Sequence, residues 1–335
     1  MTDPTQPPAS ESSAAPPAFA GPVGTAWASV RAGRIRAARS ELTRLLEPED
    51  PTTQSDDQRA LALLLQVEID LASGELGHAT AHGSGIAEIE GPIAELARAL
   101  AAGETAAAYG DHAEARDHFL AAGALPGAEL MLVRPWWVGA VMALVRTGRR
   151  REGAELARAQ LAPAEQSGDP FTLAHALRGL ATADADRQPL TLLDQARTLA
   201  VEAGCQRLAV QLDTDIAAMS ILAPGMHGAE LAPPLRAAEA YAAEEGLWPL
   251  HNRVIGLLLR IGQEPRPVMG LALDVLTESE QRVARLAARS MTNREIAAEL
   301  GVSIKAIEWH LSRTYRKLGI SSRQALISIL DTPAS

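Results

Sequence analysis

The segment from Leu276 to Leu326, LTESEQRVARLAARSMTNREIAAELGVSIKAIEWHLSRTYRKLGISSRQAL, constrains the fold more than any other part of the chain. Three of its helix starts pair a hydroxyl with an acidic or amide side chain three residues on: Thr277 with Glu280, Thr292 with Glu295, and Ser321 with Gln324. In such a box the hydroxyl accepts from the later residue's backbone N–H while that residue's side chain reaches back. Two N–H groups that a helix start would leave unpaired are then satisfied together. Ser303 supplies a fourth start, a hydroxyl cap without an acidic partner. The sequence thus predicts four short helices with little freedom in where they begin.

The apolar spacing agrees. Val283, Leu286 and Ala287 share a face of the first helix; Ile296, Ala297 and Leu300 share a face of the second. Ile307, Leu311, Tyr315 and Leu318 follow at helical period in the third. Gly301 falls between helices two and three, so Leu300-Gly301-Val302-Ser303 reads as the turn of a helix-turn-helix. The third helix presents Lys305, Glu308, Trp309, Ser312, Arg313, Arg316 and Lys317 on its polar side. A helix seated in the major groove needs side chains near its start that reach base edges and cations that neutralise phosphates, and both are present. The plainer alternative is a solvated amphipathic helix with surface charges.

The LT-x-x-E opening, N-R-E-I-A, the V-S turn, E-W-H-L and Y-R-K-L-G-I-x-S-R together resemble the C-terminal DNA-binding domain of LuxR-type regulators. The wording E-W-H-L-S-R-x-Y-R-K-L-G-I is most similar to the large ATP-binding subgroup of that family. The resemblance implies that Glu308, Trp309 and Ser312 face bases, and that Asn293, Lys305, Arg313, Arg316 and Lys317 hold phosphates. It implies that a fourth helix, from Ser322 to about Leu330, carries a dimer contact through Ala325, Leu326 and Ile329. His310 is expected to pack inside the domain. Two departures matter. Ala306, Ile307 and Glu308 stand where many members have Thr, Val and Lys; a carboxylate accepts from cytosine N4 and repels phosphate, so the base preference should change. Ser290 stands where Gly often ends the first helix, and a left-handed cap would be mildly strained there.

The net charge of −10 at first argues against nucleic acid, but its distribution does not. From Leu276 to Asp331 there are nine Lys/Arg against six Asp/Glu, an excess of +3, which leaves −13 for the remainder. An acidic body with a mildly basic end keeps the bulk of the chain off DNA, and the small excess points to dimers for useful affinity. The single cysteine, Cys205, has no internal partner for a disulfide; its apolar helical setting reads as a buried thiol and a reducing, cytoplasmic setting. No apolar run approaches the roughly 20 residues that span a bilayer. The first 22 residues, rich in Pro, Ala and Ser, lack the features of a signal peptide and read as a disordered tail.

Residues 23–261 are apolar yet nearly free of aromatics, at 47 % and 3 % for the whole chain. Alanine and leucine make up the difference and favour helices. The run GETAAAYGDHAEARDHFLAAGALP sets Gly103 and Gly110 as small positions, with His112, Ala115, Phe119 and Ala122 where a tetratricopeptide (TPR) repeat has its second-helix residues. The same second-helix pattern follows Gly33 (Ile35, Ala38, Leu42, Leu45), Gly74 (Leu76, Ala79, Ile86) and, less well, Gly148 (Gly153, Ala157). These glycines are 41, 36 and 38 residues apart. A fifth unit falls around Leu193, Ala196, Ala200 and Ala203. The expected fold is all-α: a TPR-like helical-hairpin array, then a four-helix LuxR-type helix-turn-helix domain over 271–335, joined by a Pro/Gly-rich linker at 262–270. A generic alanine-rich bundle is the alternative for the body.

An open array offers a long concave surface. Arg134, Trp136 and Trp137 form a candidate effector groove, because paired aromatics beside a cation are rare in this chain; filler between hairpins is the other reading, as for Trp27 and Trp248. Leu231-Ala-Pro-Pro-Leu235 is expected to open a late helix, with Pro at its first turn. No G-x-x-x-x-G-K-[ST] loop occurs, so the ATPase of the large regulators has no counterpart in this sequence. His78 and His82 share a helix face without a third metal ligand, and no cofactor or catalytic constellation is indicated. The leading expectation is a homodimeric cytoplasmic transcription regulator that reads double-stranded DNA, with a body that senses a protein or small molecule and RNA polymerase as a further partner. The alternative is a TPR-type interaction scaffold with a vestigial DNA-binding domain.

Overall fold

Glycines end the first helix of successive pairs, and their backbone conformation explains the choice. In the computed structural model Gly33, Gly74 and Gly110 have φ of 83°, 84° and 90°, the left-handed region that a Cβ disfavours. The structure describes residues 21–47, 55–129, 134–184, 187–222, 228–264, 276–318, 320 and 322–330. Among them are seventeen helices and no strand, as the alanine- and leucine-rich composition predicts.

The body pairs α1 (Pro22–Ala32) with α2 (Ile35–Leu46), α3 (Asp56–Ser73) with α4 (Leu76–Ala87), and α5 (Pro92–Tyr109) with α6 (His112–Gly123). It continues with α7 (Trp136–Arg146) against α8 (Arg150–Ser167), then α9 (Pro170–Ala183) against α10 (Pro189–Glu202). The last three body helices are α11 (Gln206–Ser220), α12 (Gly228–Glu244) and α13 (Trp248–Arg260). The second-helix positions expected to pack do so: Ile35, Ala38, Leu42, Ala79, Ile86, Ala115, Phe119, Ala122, Ala157, Leu193, Ala196 and Ala200 are all buried. Ala203 is exposed. Helix α12 starts before the expected point, so Pro233 and Pro234 lie inside it rather than in its first turn.

Phe119 shows how small residues set the spacing. Its ring lies against Gly103 of α5, where an added Cβ would come within 2.8 Å, and against Gly139 of α7, where the approach is closer still. One aromatic ring thus wedges between three helices that only glycine lets converge.

The body closes on itself. Helix α1 packs on α11, and α3 packs on α13. The Arg31 guanidinium reaches Asp169 at 2.8 Å, Arg207 reaches Glu68 at 2.6 Å, and the Tyr241 hydroxyl donates to the Gly33 carbonyl at 2.7 Å. These bonds join residues 138, 139 and 208 positions apart. Early and late helices of the body are therefore held together rather than left apart as in a fully extended array. Two of the bonds hold the first hairpin against distant helices and the third ties α3 to α11, and no periodic signal encodes such partners.

The C-terminal domain comprises α14 (Glu278–Ala288), α15 (Asn293–Leu300), α16 (Ile304–Lys317) and α17 (Arg323–Leu330). Val283, Leu286, Ala287, Ile296, Ala297, Ile307, Leu311, Leu318, Leu326 and Leu330 form its core. Trp248 of α13 is fully buried in the same cluster, with Ile255 packed beside it. The body is thus fixed to the C-terminal domain by an aromatic ring, and Trp248 is a bridge between the two rather than filler between hairpins. The Asn252 amide donates to the Leu318 carbonyl across the same seam. The expected linker lies mostly outside the described residues, at 265–270, as does the expected N-terminal tail up to residue 20. No described helix is long and apolar enough to cross a membrane.

Candidate nucleic-acid interface

The caps that fix α14 and α15 form as the sequence predicts. The Glu280 N–H donates to Thr277 Oγ1 at 3.3 Å and the Thr277 N–H donates to Glu280 Oε2 at 2.9 Å. Thr292 and Glu295 repeat the exchange at 3.3 and 2.7 Å. Gly301 ends α15 at φ 65°, and the Ala306 N–H donates to Ser303 Oγ at 3.1 Å to start α16. Ser321 lies outside the described residues, so the third box is not among these contacts. Ser290 takes φ 61°, the left-handed conformation anticipated for it.

Those caps orient α16. Ile307, Leu311, Thr314 and Leu318 turn into the domain, and Lys305, Glu308, Trp309 and Ser312 turn out. Trp309 is 55 % exposed. The Arg313 guanidinium lies over its ring at 4.7 Å, and His310 meets it edge-on at 4.9 Å between centroids. A large apolar ring held in water by a cation on one side is poised to cover another apolar or π surface. Beside it a groove of about 530 Å³ runs between Asn293, Glu308, Ser312, Tyr315 and Arg323. Arg323 closes one side by donating to Asn293 Oδ1 at 3.2 Å. Arg323 was not singled out from the sequence, although the S-R of the quoted motif contains it.

The structure separates the expected phosphate-binding residues by burial. Lys305 is exposed and Asn293 is half-buried. Lys317 is only 12 % exposed, and its ammonium lies 2.9 Å from Glu280 Oε2. Arg313 Nε reaches the other Glu280 oxygen at 3.2 Å and stays 40 % exposed. Burial pushes the Glu280 carboxyl upward, but the Lys317 ammonium and the Thr277 N–H outweigh it and hold the group below the usual carboxylate range. Lys317 therefore serves the domain's interior, whereas Arg313 keeps a face toward solvent. The Arg316 side chain lies outside the described residues.

On α17, Leu326 is fully buried in the domain's own core, so it cannot present itself to a second copy as expected. An apolar helix face carries the same periodicity whether it covers its own domain or a partner's. The side chains of Ala325 and Ile329 lie outside the described residues.

The residues of the candidate effector groove are not brought together. Trp136 and Trp137 line a cleft of about 490 Å³ with Pro163 and Thr172. Arg134 points elsewhere, into a cleft between the body's helices, where it binds Glu104 through Nε at 2.8 Å and through Nη2. That interior cleft, about 380 Å³, is lined by Glu68, Glu104, Arg134, Arg178, Arg207 and Arg253, with apolar walls from α3, α5 and α13. Burial alone would lower the Arg134 pKa, yet Glu104 and Glu68 raise it above its ordinary value. Arg207 and Arg134 hold Glu68 below its usual range against the opposing effect of burial. No local pattern marks this cluster, whose members lie on α3, α5, α9, α11 and α13 and ahead of α7.

Residues 274–330 match the family described as bacterial regulatory proteins, luxR family. The chain is 39 % identical over 57 residues to the spore germination protein GerE of Bacillus subtilis, covering 17 % of this chain and 77 % of GerE. It is 45 % identical over 49 residues to the transcriptional regulatory protein UhpA of Escherichia coli, 15 % of this chain and 25 % of UhpA. It is 38 % identical over 66 residues to a Mycobacterium tuberculosis protein provisionally named an HTH-type transcriptional regulator. That match covers 20 % of this chain, which spans about 7 % of the mycobacterial protein's length.

Proposed function

The chain belongs to the luxR family of bacterial regulatory proteins, and on that premise we propose that it is a transcription regulator whose α16 enters the major groove of double-stranded DNA. The observation that carries this reading is the outward face of α16, where Lys305, Glu308, Trp309 and Ser312 stand exposed on a helix started by the Ser303 cap after the Gly301 turn. In this reading Glu308, Trp309 and Ser312 meet base edges, and Glu308 accepts from a cytosine amino group. Lys305, Asn293 and Arg313 meet phosphates and set the register. Two copies bind an inverted repeat, because a domain with so small a basic excess needs both half-sites for affinity. The dimer face lies on α17 outside Leu326.

The body is a TPR-like array whose interior senses a small molecule. It acts on the DNA-binding domain through α13, the helix that carries Trp248 and Asn252. RNA polymerase is the partner such a regulator would engage on DNA.

Selection of random duplexes by the full-length protein tests the reading. Enrichment of one inverted-repeat motif is the expected result. Failure of both the full-length protein and residues 271–335 to enrich any motif would overturn it.

A further inference from the structure

Helix α13 has two functional faces. Leu247, Leu250 and Arg253 line the interior cleft. Trp248, Asn252 and Ile255 lie on the opposite side of the helix, since about 100° separates successive residues, and these three meet the C-terminal domain. Whatever occupies the cleft therefore touches the helix to which the C-terminal domain is fastened.

The cleft is polar in a specific way. Four guanidiniums, Arg134, Arg178, Arg207 and Arg253, face Glu68 and Glu104. Asp215, at its margin, binds Arg178 at 2.8 Å and Arg253 at 2.5 Å. Guanidinium charge thus exceeds carboxylate charge by one within this cluster. Arg134 is committed to Glu104 through two nitrogens. Arg207 and Arg253 each spend one terminal nitrogen, on Glu68 and Asp215 respectively, and a guanidinium carries five N–H donors. A small inner pocket shares Glu68, Arg134, Arg207 and Gln211 with the cleft and ends at His175. His175 is almost wholly buried, and its Nδ1 has no hydrogen-bond partner among the described residues. Burial, then the surrounding arginines, keep that ring neutral, so it offers a neutral polar contact beside the cations. Leu71, Ala72, Ala107 and Leu250 supply an apolar wall.

We infer that this cleft binds a small organic anion, with a carboxylate or phosphate head held by Arg207 and Arg253 and a short apolar part against Leu71 and Leu250, and that its occupancy is passed along α13 to the end of α16. The first half stands on the cleft alone; the second rests on the regulator reading for its biological meaning, though not for its detection. An anion fits where a neutral molecule does not. Unused N–H donors gain charge-assisted bonds, and the excess positive charge of the cluster is neutralised.

The test uses the full chain without DNA. Hexanoate, butyl phosphate and the neutral control hexanamide are titrated by calorimetry, and amide hydrogen exchange is followed over α13 and α16. Hexanoate or butyl phosphate is expected to bind and hexanamide not to. Arg253→Gln, at the rim, should weaken binding about tenfold or more, the usual scale for losing a charged hydrogen bond. Leu250→Trp, which fills the cleft while keeping its charges, should abolish binding. Slowed exchange in α13 together with changed exchange at Leu311–Leu318 is the expected sign of transmission. Equal behaviour of hexanoate and hexanamide, no binding by either anion, or an Arg253→Gln affinity like the parent's would overturn the site. Binding that leaves α16 unchanged would overturn the transmission. None of these results depends on whether the chain binds DNA.

Discussion

Glu280 and Lys317 are joined at 2.9 Å across the C-terminal domain, so one carboxylate both caps α14 and anchors the end of α16. Glu280→Gln keeps an acceptor for the Thr277 N–H but strips the charge that pairs a nearly buried ammonium. The expected loss is about 1.5–3 kcal/mol of domain stability, the range for hydrogen bonds to charged groups. Because the folded-state pKa of Glu280 lies below its ordinary value, its contribution is complete above pH 4.5 and disappears as pH falls through the folded value. Urea denaturation of parent and variant at pH 7 and pH 3 checks this: the difference at pH 7 should shrink at pH 3.

His251 gives the body a second, separate response to acid. Buried beside the Trp248 ring, at 5.5 Å between centroids, it has no hydrogen-bond partner on either nitrogen among the described residues. Burial lowers its pKa from 6.5 to about 4, with Glu239 opposing in part. The unfolded chain therefore takes up a proton first, and stability falls as pH drops from 6.5 toward 4. His251→Leu should lessen the slope of that stretch of a thermal-melt profile, the remainder coming from the buried His175 ring, while leaving the response below it, due to Glu280, in place.

Ser290 is a β-carbon-bearing residue held at φ 61°. Ser290→Gly is expected to stabilise the C-terminal domain by about 0.5–1 kcal/mol, since the left-handed conformation penalises any side chain. The gain should appear as a higher denaturation midpoint with an unchanged slope. A lower midpoint would mean that the serine side chain contributes more there than the strain costs.

Two residues five positions apart on α16 should fail differently. Arg313→Ala should weaken binding to every duplex and reduce the salt slope by about one. Glu308→Ala should relax preference at one base pair, at a cost of about 1–3 kcal/mol on the preferred site. Binding titrations on preferred and scrambled duplexes at several salt concentrations separate the two. Uniform weakening by Glu308→Ala would remove that residue from base readout.

Trp248→Ala empties the ring's place between body and DNA-binding domain. A buried tryptophan truncation of this kind costs about 3–5 kcal/mol. The loss should be accompanied by splitting of one calorimetric transition into two, as the domains lose their shared core. A single transition in the variant would show that other contacts hold the seam.

The sequence was most informative where physics is local. A hydroxyl and a carboxylate three residues apart, or a glycine after an apolar turn, act within one helix end, and Thr277, Thr292, Ser303 and Gly301 behave as their neighbours predict. It was least informative about what covers a face. Leu326 and Lys317 lie at positions whose periodicity suits either an interface or an interior, and only the fold shows both turned inward. Arg31 and Asp169, or Tyr241 and Gly33, meet because hairpins between them bring them round, and nothing in either neighbourhood names the other. The interior cleft inherits the same opacity, because its charges come from five helices and one connecting segment.

Closure of the body also changes how it should come apart. In an open stack of repeats the terminal hairpins have a neighbour on one side only, so they fray first and melting spreads inward. Here Gly33 and Arg31 of the first hairpin are bonded to Tyr241 and Asp169, and no end hairpin is left exposed in that way. Unravelling must begin by breaking a ring, which makes the body cooperative beyond what its repeat-like sequence suggests. A protease that cuts within the first hairpin would loosen the last one as well, and with it the seat of the DNA-binding domain.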